Sequence, residues 1–156
     1  MTRILYIDMD GVLVDFKSAY GRLTTWEKNT YNPANDDPED ANYDEVPDIY
    51  SRMEPMDGAI AAYEKLSQVF DTYILSTAPW ENPTAWSDKL EWVKRHLGKT
   101  AHKRLILSHN KQLNKGDYLI DDRDKNGANK FDGELIRFGS YEFPDWNSVL
   151  RYLFKA

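Results

Sequence analysis

Two acids one residue apart, Asp8 and Asp10, stand at the end of the apolar run Ile4-Leu5-Tyr6-Ile7, and Gly11 follows them. Carboxylates so close raise one another's cost of ionising unless a cation is held between them. A hard divalent ion with oxygen ligands meets that need, and magnesium is the usual one where phosphate is handled. Alone, an Asp-x-Asp-Gly sequence is equally a turn cap. Three further apolar runs also end in polar residues, each of a different kind: Ser76-Thr77 after Thr72-Tyr73-Ile74-Leu75, Lys111 shortly after Leu105-Ile106-Leu107, and Asp121-Asp122 after Asp117-Tyr118-Leu119-Ile120. Together they offer a nucleophile with metal ligands, a hydroxyl donor, a fixed cation and a second carboxylate pair. Phosphoryl transfer asks for that set, because it depends on positioning and on neutralising charge at the phosphoryl oxygens. A carboxylate can also take the phosphoryl group itself and split a hard displacement into two steps.

These residues meet only if their runs are parallel neighbours in one sheet. An all-apolar run suits a strand covered on both faces by helices, and such sheets place ligands beyond the carboxyl ends of their strands. Helical spacing fills the intervals: Phe16 to Lys28 through Phe16, Tyr20, Leu23 and Trp26 or Glu27; Ala59 to Phe70 with Asp57 as N-cap; Asn82 to Gly98 with Pro83 at its first position, burying Trp86, Leu90, Val93 and Leu97; and Asp145 to Phe154, burying Val149, Leu150 and Leu153. A short helix is expected near 48–53. Glu134 to Phe138 alternates and reads as a fifth strand near an edge. The fold class expected is α/β, with a doubly wound parallel sheet.

About forty residues separate the first strand from Glu54-Pro55-Met56-Asp57-Gly58, where regular patterning resumes, although strand-to-helix connections usually take only a few. We therefore expect a catalytic core of 1–15 and 54–156, with a mainly helical cap inserted at 16–53 over the strand ends. Most of its aromatics (Phe16, Tyr20, Trp26, Tyr31, Tyr43, Tyr50) should form the cap's own small core, leaving one or two to reach a planar ligand. The stretch from Asn32 to Asp48 holds seven acids and no Lys or Arg, with three prolines, and reads as an exposed loop.

That loop also carries the acidity of the chain. The net charge is -6 over 156 residues, and without the loop the remainder is close to neutral. An acidic chain disfavours sequence-independent binding to a nucleic acid polymer or an anionic membrane. Hydrophobic residues at 41% and aromatics at 13% argue for a folded globule of one domain. The absence of cysteine rules out a disulfide framework and a thiolate site. No run approaches the roughly 18 apolar residues of a membrane span, and no signal peptide is evident, so a cytoplasmic location is expected.

Asp8-Met9-Asp10-Gly11-Val12, Ser76-Thr77, Lys111 and Asp121-Asp122 resemble the four motifs of the haloacid dehalogenase (HAD) superfamily. More narrowly, Asp8 to Phe16, Glu54-Pro55 to Ala59, Ser76-Thr77-Ala78-Pro79 and Leu119-Ile120-Asp121-Asp122-Arg123 resemble the 5'(3')-deoxyribonucleotidases. The likeness spans nearly the whole chain outside the cap. It implies a HAD-like Rossmannoid core and a magnesium-dependent phosphomonoesterase acting on deoxynucleoside monophosphates. Asp8 would be the nucleophile, and Asp10 the acid and then the base. Thr77 with Ala78 would hold phosphoryl oxygens, and Lys111 would be the motif lysine, with Lys115 ranked second. Asp8, the Asp10 carbonyl and Asp122 would bind Mg2+, with Asp121 orienting them. Phe16 and Tyr50 are the residues expected to stack on the base, and His109 to touch phosphate or sugar. Trp80 reads as core ahead of pocket wall, and His96 and His102 as helix-end and surface residues. A homodimer is left open.

Rival readings share much of this chemistry. A receiver domain of a signalling relay combines similar residues, but it places its acid pair first and its phosphoacceptor after a middle strand, and lacks so large a cap. A phosphatase for a phosphosugar would use the same residues around the phosphate. A member that binds ligand without turnover is disfavoured because every catalytic position is filled.

Overall fold

In the computed structural model, which describes residues 1–155, the opening apolar run is the middle strand of the molecule, β1 (Ile4–Ile7). It is followed by β2 (Val14–Asp15), α1 (Thr25–Tyr31), β3 (Glu54–Pro55), α2 (Ala59–Ser67), β4 (Asp71–Ser76), α3 (Pro83–Leu97), β5 (Leu105–Leu107), β6 (Tyr118–Asp121), β7 (Glu134–Arg137) and α4 (Trp146–Leu153). Five strands make a parallel sheet in the order β5-β4-β1-β6-β7. The chain builds outward from β1 through β4 to β5, then returns to the other side of β1 for β6 and β7. The direction of winding switches at β1, and a crevice opens beyond the strand ends at such a point. The α/β class and the edge position of β7 are as the sequence pattern indicates.

Alternation sorts the sheet's side chains to two faces. Leu5, Ile7, Ile74, Ile120 and Ile136 join the main core with Ala62, Tyr63 and Leu66 of α2, Trp92 and Val93 of α3, and Val149 and Leu153 of α4. Tyr6, Leu75 and Leu119 form a smaller cluster on the other side with Ala128 and Phe131. That second face departs from expectation: among the described residues no α-helix covers it. The connections at 108–117 and 122–133 carry short 3-10 turns at Lys111–Leu113 and Ala128–Lys130 in place of the usual crossover helix.

The segment from 16 to 53 is bracketed by the antiparallel pair of β2 and β3. The expected helix from Phe16 to Lys28 is two elements, a 3-10 turn at Phe16–Arg22 and then α1. The break comes from Thr24, whose hydroxyl accepts from Glu27 N at 3.1 Å while Glu27 Oε1 accepts from Thr24 N at 2.8 Å. This reciprocal cap starts a new helix. Glu27 turns inward and Trp26, at 67% exposure, turns out. Both Glu27 oxygens accept from Arg52 at 2.8 Å, and Arg52 reaches on to the Pro47 carbonyl. Ala19, Leu23, Tyr43, Val46, Ile49, Tyr50 and Met53 are buried and continuous with the main core. α3 holds the segment in place: Asn82 at its N-cap donates to the carbonyls of Asp44 and Val46 at 2.8 and 2.9 Å, and Trp92 Nε1 donates to Met53 O at 3.1 Å.

Three smaller expectations are corrected. Gly58, at φ 78, occupies the N-cap of α2, and Asp57 makes no cap there. Leu90 is 41% exposed and Trp86 and Leu150 are half-buried. The stripe that α3 buries is Ala85, Lys89, Trp92, Val93 and Leu97, so a lysine occupies a core position. Trp80 is 76% exposed, not core. Among the described residues no helix is long and apolar enough to cross a membrane.

Removing the Glu27 carboxylate takes away both a helix cap and a forked ion pair. We expect Glu27→Ala to lower stability by about 1–2 kcal/mol, read as a lower urea midpoint. An unchanged midpoint would show that the 16–53 segment does not depend on this anchor.

Candidate active site

The main chain delivers Asp8 directly from β1. Its N–H donates to Ile120 O at 2.9 Å, which extends the parallel ladder one residue and holds the carboxylate at the switch point. The chain then turns tightly, with the N–H groups of Val12, Leu13 and Val14 all donating to Met9 O. Gly11 sits in this turn at φ 77, and a Cβ there would lie 2.1 Å from Asp122 Oδ2. Only glycine permits that approach of the β1 turn to the end of β6.

β6 ends in Asp121, and Lys111 reaches it from the turn after β5. Lys111 Nζ donates to Asp121 Oδ2 at 2.5 Å and to Asp8 Oδ1 at 3.1 Å. Asp121 Oδ1 accepts from Arg123 N at 3.0 Å, so both of its oxygens are engaged. Asp8, Asp121 and Asp122 each offer a carboxylate oxygen within 4.8 Å of the others. Burial, together with Asp121 and Asp10, pushes the Asp8 carboxyl up to about 7 despite the opposing Lys111. Burial and Asp8 push Asp122 up to about 7 as well. Burial works to lower the Lys111 pKa, but Asp8 and Asp121 raise it above the ordinary value.

Asp10 is fixed by groups outside the sheet ends that carry the motif. Its Oδ2 accepts from Tyr50 OH at 3.1 Å and from Lys89 Nζ at 3.3 Å, while its Oδ1 is buried without a partner. Ser76 is also occupied, with its hydroxyl 2.7 Å from Lys89 Nζ. Thr77 donates its hydroxyl to Ser108 O at 2.7 Å, and Ala78 is fully buried. A small cleft opens among Asp8, Asp10, Thr77, Lys111, Asp121, Arg123, Lys125 and Asn126. The structure thus brings together Asp8, Asp10, Thr77, Lys111, Asp121 and Asp122. Arg123, Lys125 and Asn126 complete the wall.

Other expected contacts fall elsewhere. Tyr50 is 2% exposed, its ring met edge-on by Phe16 and overlain by the Lys89 ammonium, so it turns a hydroxyl to Asp10 and has no free face for stacking. Phe16 is half-buried between Tyr20 and Tyr50. His109 faces the adjoining groove with Gln112 and Lys130, against the rings of Trp80 and Trp86. Lys115 pairs with Asp132 on the surface, His102 is exposed and His96 packs on Trp92. Asp44 sits near enough to Asp10 for that charge, after burial, to help raise its pKa.

The acid cluster suits a divalent cation. Asp8, Asp10, Asp121 and Asp122 converge on two buried ammonium groups, Lys89 and Lys111, which leaves an excess of negative charge in a partly desolvated site. Oxygen donors of this kind are those a hard cation takes.

Fold and site together define a HAD-type hydrolase. The chain belongs to the family described as 5' nucleotidase, deoxy (Pyrimidine), cytosolic type C, whose profile matches residues 2–151. It is therefore a hydrolase of phosphoric monoesters of the nucleotidase type. Among its relatives, a protein of Vibrio phage KVP40, provisionally named 5'(3')-deoxyribonucleotidase, is 61% identical over 150 residues, covering 96% of this chain and 84% of the relative. The human cytosolic-type 5'(3')-deoxyribonucleotidase is 28% identical over 165 residues, covering 92% and 77% of the two chains. The fold is also that of the provisionally assigned HAD-hydrolase YfnB of Bacillus subtilis, a structure described as bound to magnesium, at a TM-score of 0.66, 13% identity, and coverage of 97% and 98%.

The elevated Asp8 and Asp122 pKa values set a pH dependence. Each carboxyl rises from 3.8 to about 7, so the folded metal-free protein holds protons that the unfolded chain has lost. Stability should fall as pH rises from about 4 to about 7 and stay lowered above that. We expect the Tm of chelator-treated protein to drop between about pH 5 and about pH 7.5, magnesium to restore it at the upper end only, and Asp122→Asn to flatten the profile. A Tm independent of both pH and magnesium would contradict this electrostatic picture.

Proposed function

We propose that the protein is a magnesium-dependent phosphomonoesterase that releases phosphate from deoxyribonucleoside 5'(3')-monophosphates through an aspartyl-phosphate on Asp8. The observation that carries this reading is the placement of Asp8 at the switch point, braced by Lys111 at 3.1 Å, with the unpartnered Asp10 Oδ1 two residues along the same turn. Asp8, the Asp10 carbonyl and Asp122 would hold Mg2+, with Asp121 orienting them through Lys111 and the Arg123 N–H. The closeness of Asp122 to Asp8 and to the Gly11 turn, against an Asp121 with both oxygens taken by Lys111 and the Arg123 N–H, supports that division. When bound, the ion would neutralise the carboxylates and draw charge from the phosphoryl oxygens.

The residues then perform two displacements. In the first, an Asp8 oxygen bonds to phosphorus and the ester P–O bond breaks, while Asp10 gives its proton to the departing sugar oxygen. In the second, Asp10 takes a proton from water, whose oxygen bonds to phosphorus and frees the Asp8 carboxylate. Lys111, Thr77 and the Arg123 and Lys125 side of the cleft hold phosphoryl oxygens. Thr77 must turn its hydroxyl from Ser108 O to donate there.

The small cleft takes a phosphate group, so the nucleoside must lie outside it. We assign residues 16–53 as a cap over the strand ends, with Phe16 at its inner edge, and the core as 1–15 and 54–156. The exposed ring of Trp80, packed with Trp86 against His109, is an aromatic face on which a planar substrate could rest. The human relative is of cytosolic type, and among the described residues no helix is able to cross a membrane; we assign a cytoplasmic location on the first of these.

The test is phosphate release from 5'- and 3'-deoxynucleotides, ribonucleotides and phosphosugars, with and without magnesium. We expect turnover of deoxynucleoside monophosphates that needs the ion and falls by at least about 1,000-fold in Asp8→Asn, where the nucleophile is gone. Turnover of phosphosugars alone would keep the chemistry and overturn the substrate.

A further inference from the structure

We infer that Lys89 is the positioning residue for the proton-transferring oxygen of Asp10, an inference that rests on the role given to Asp10 above. Lys89 comes from the apolar stripe of α3, far from the motif residues in sequence, and its side chain is fully buried. Burying an ammonium is costly unless its protons are all satisfied. Here three acceptors surround it: Ser76 Oγ at 2.7 Å, Thr77 O at 3.0 Å and Asp10 Oδ2 at 3.3 Å. The Tyr50 ring closes the remaining side, with Nζ 4.7 Å from its centroid. Such a cage draws on three separate parts of the chain: the end of β4, the turn after β1, and the 16–53 segment.

The consequence falls on Asp10. Lys89 and Tyr50 both donate to Oδ2, so that oxygen has no room for a proton of its own, and the carboxyl plane is held from two directions. Oδ1 makes no hydrogen bond, so it is the oxygen left uncommitted for the transferred proton, on a side chain that is 26% exposed and lines the cleft. Lys89 itself is enclosed and does not line the cleft; it lies behind Asp10 and Thr77, which do. It therefore acts through Asp10. A purely structural lysine would need the same three acceptors. It would not make the rate depend on the leaving group.

That difference supplies the test. A sugar oxygen needs a proton as it departs, whereas nitrophenolate leaves as the anion. The full-length protein and Lys89→Met are compared for kcat/KM on a deoxynucleoside 5'-monophosphate and on p-nitrophenyl phosphate, both with magnesium. kcat/KM reports phosphoryl transfer to Asp8 and is blind to later hydrolysis of the phosphoenzyme. We expect Lys89→Met to lose about 100-fold on the nucleotide and less than about tenfold on the aryl ester. Equal losses on the two substrates, or no loss, in a variant that keeps cooperative unfolding would overturn the inference. If Lys89→Met does not fold, Ser76→Ala decides by the same ratio. It removes the nearest anchor of Lys89 without touching Asp10, and a loss on the nucleotide at least about threefold larger is expected; equal losses overturn the proposal. Wild-type protein inactive on both esters would instead overturn the phosphatase reading itself.

Discussion

An excess of negative charge organises this molecule. Four carboxylates meet where β1 and β6 end, and among the described residues only Lys111 and Lys89 enter the same space as buried cations. Each carboxylate is tolerable because something specific is done with it. Asp121 is fully engaged by Lys111 and a backbone N–H, and Asp10 is held at one oxygen by two donors. Asp8 shares Lys111 with Asp121, and burial drives both Asp8 and Asp122 to about 7. The sheet order makes the arrangement unavoidable, since β1 lies between β4 and β6 and every loop leaving those ends opens onto the same crevice.

The 16–53 segment is part of that arrangement. Its core is continuous with the main one, and Asn82 and Trp92 of α3 grip its backbone. The same helix supplies Lys89, and the segment supplies Tyr50, so the two donors that fix Asp10 come from the two elements that hold each other. A change in how the segment packs on α3 would reach the acid within one hydrogen bond. On the proposed mechanism, the packing of the segment and the proton transfer by Asp10 therefore share a mechanical base.

Much of the site was legible in the sequence because strand ends announce themselves. An apolar run followed by an acid pair, a hydroxyl pair or a lysine marks both an element and a chemistry, and Asp8, Asp10, Thr77, Lys111, Asp121 and Asp122 were found that way. Lys89 was missed because the spacing of α3 was read through Trp86, Leu90, Val93 and Leu97. The alternative phase, Ala85, Lys89, Trp92, Val93 and Leu97, puts a lysine on the buried face. A lysine on the inner stripe of a helix was the available signal. The break before α1 was also written in Thr24 and Glu27, a cap pattern overridden by the aromatic spacing. Tyr50 was assigned to stacking on residue type alone. Its hydroxyl, not its face, meets the site, and only tertiary packing decides that.

Trapping the covalent intermediate tests the central claim most directly. With Asp10→Asn, the water of the second displacement is no longer activated, so phosphate should accumulate on the enzyme when an aryl phosphate supplies it without needing the acid. Acid quench, digestion and mass spectrometry would then locate the label. Phosphate is expected on the peptide that carries Asp8, and none when Asp8 is also replaced. Phosphate released at an undiminished rate with no label on the chain, or label on another residue, would contradict it.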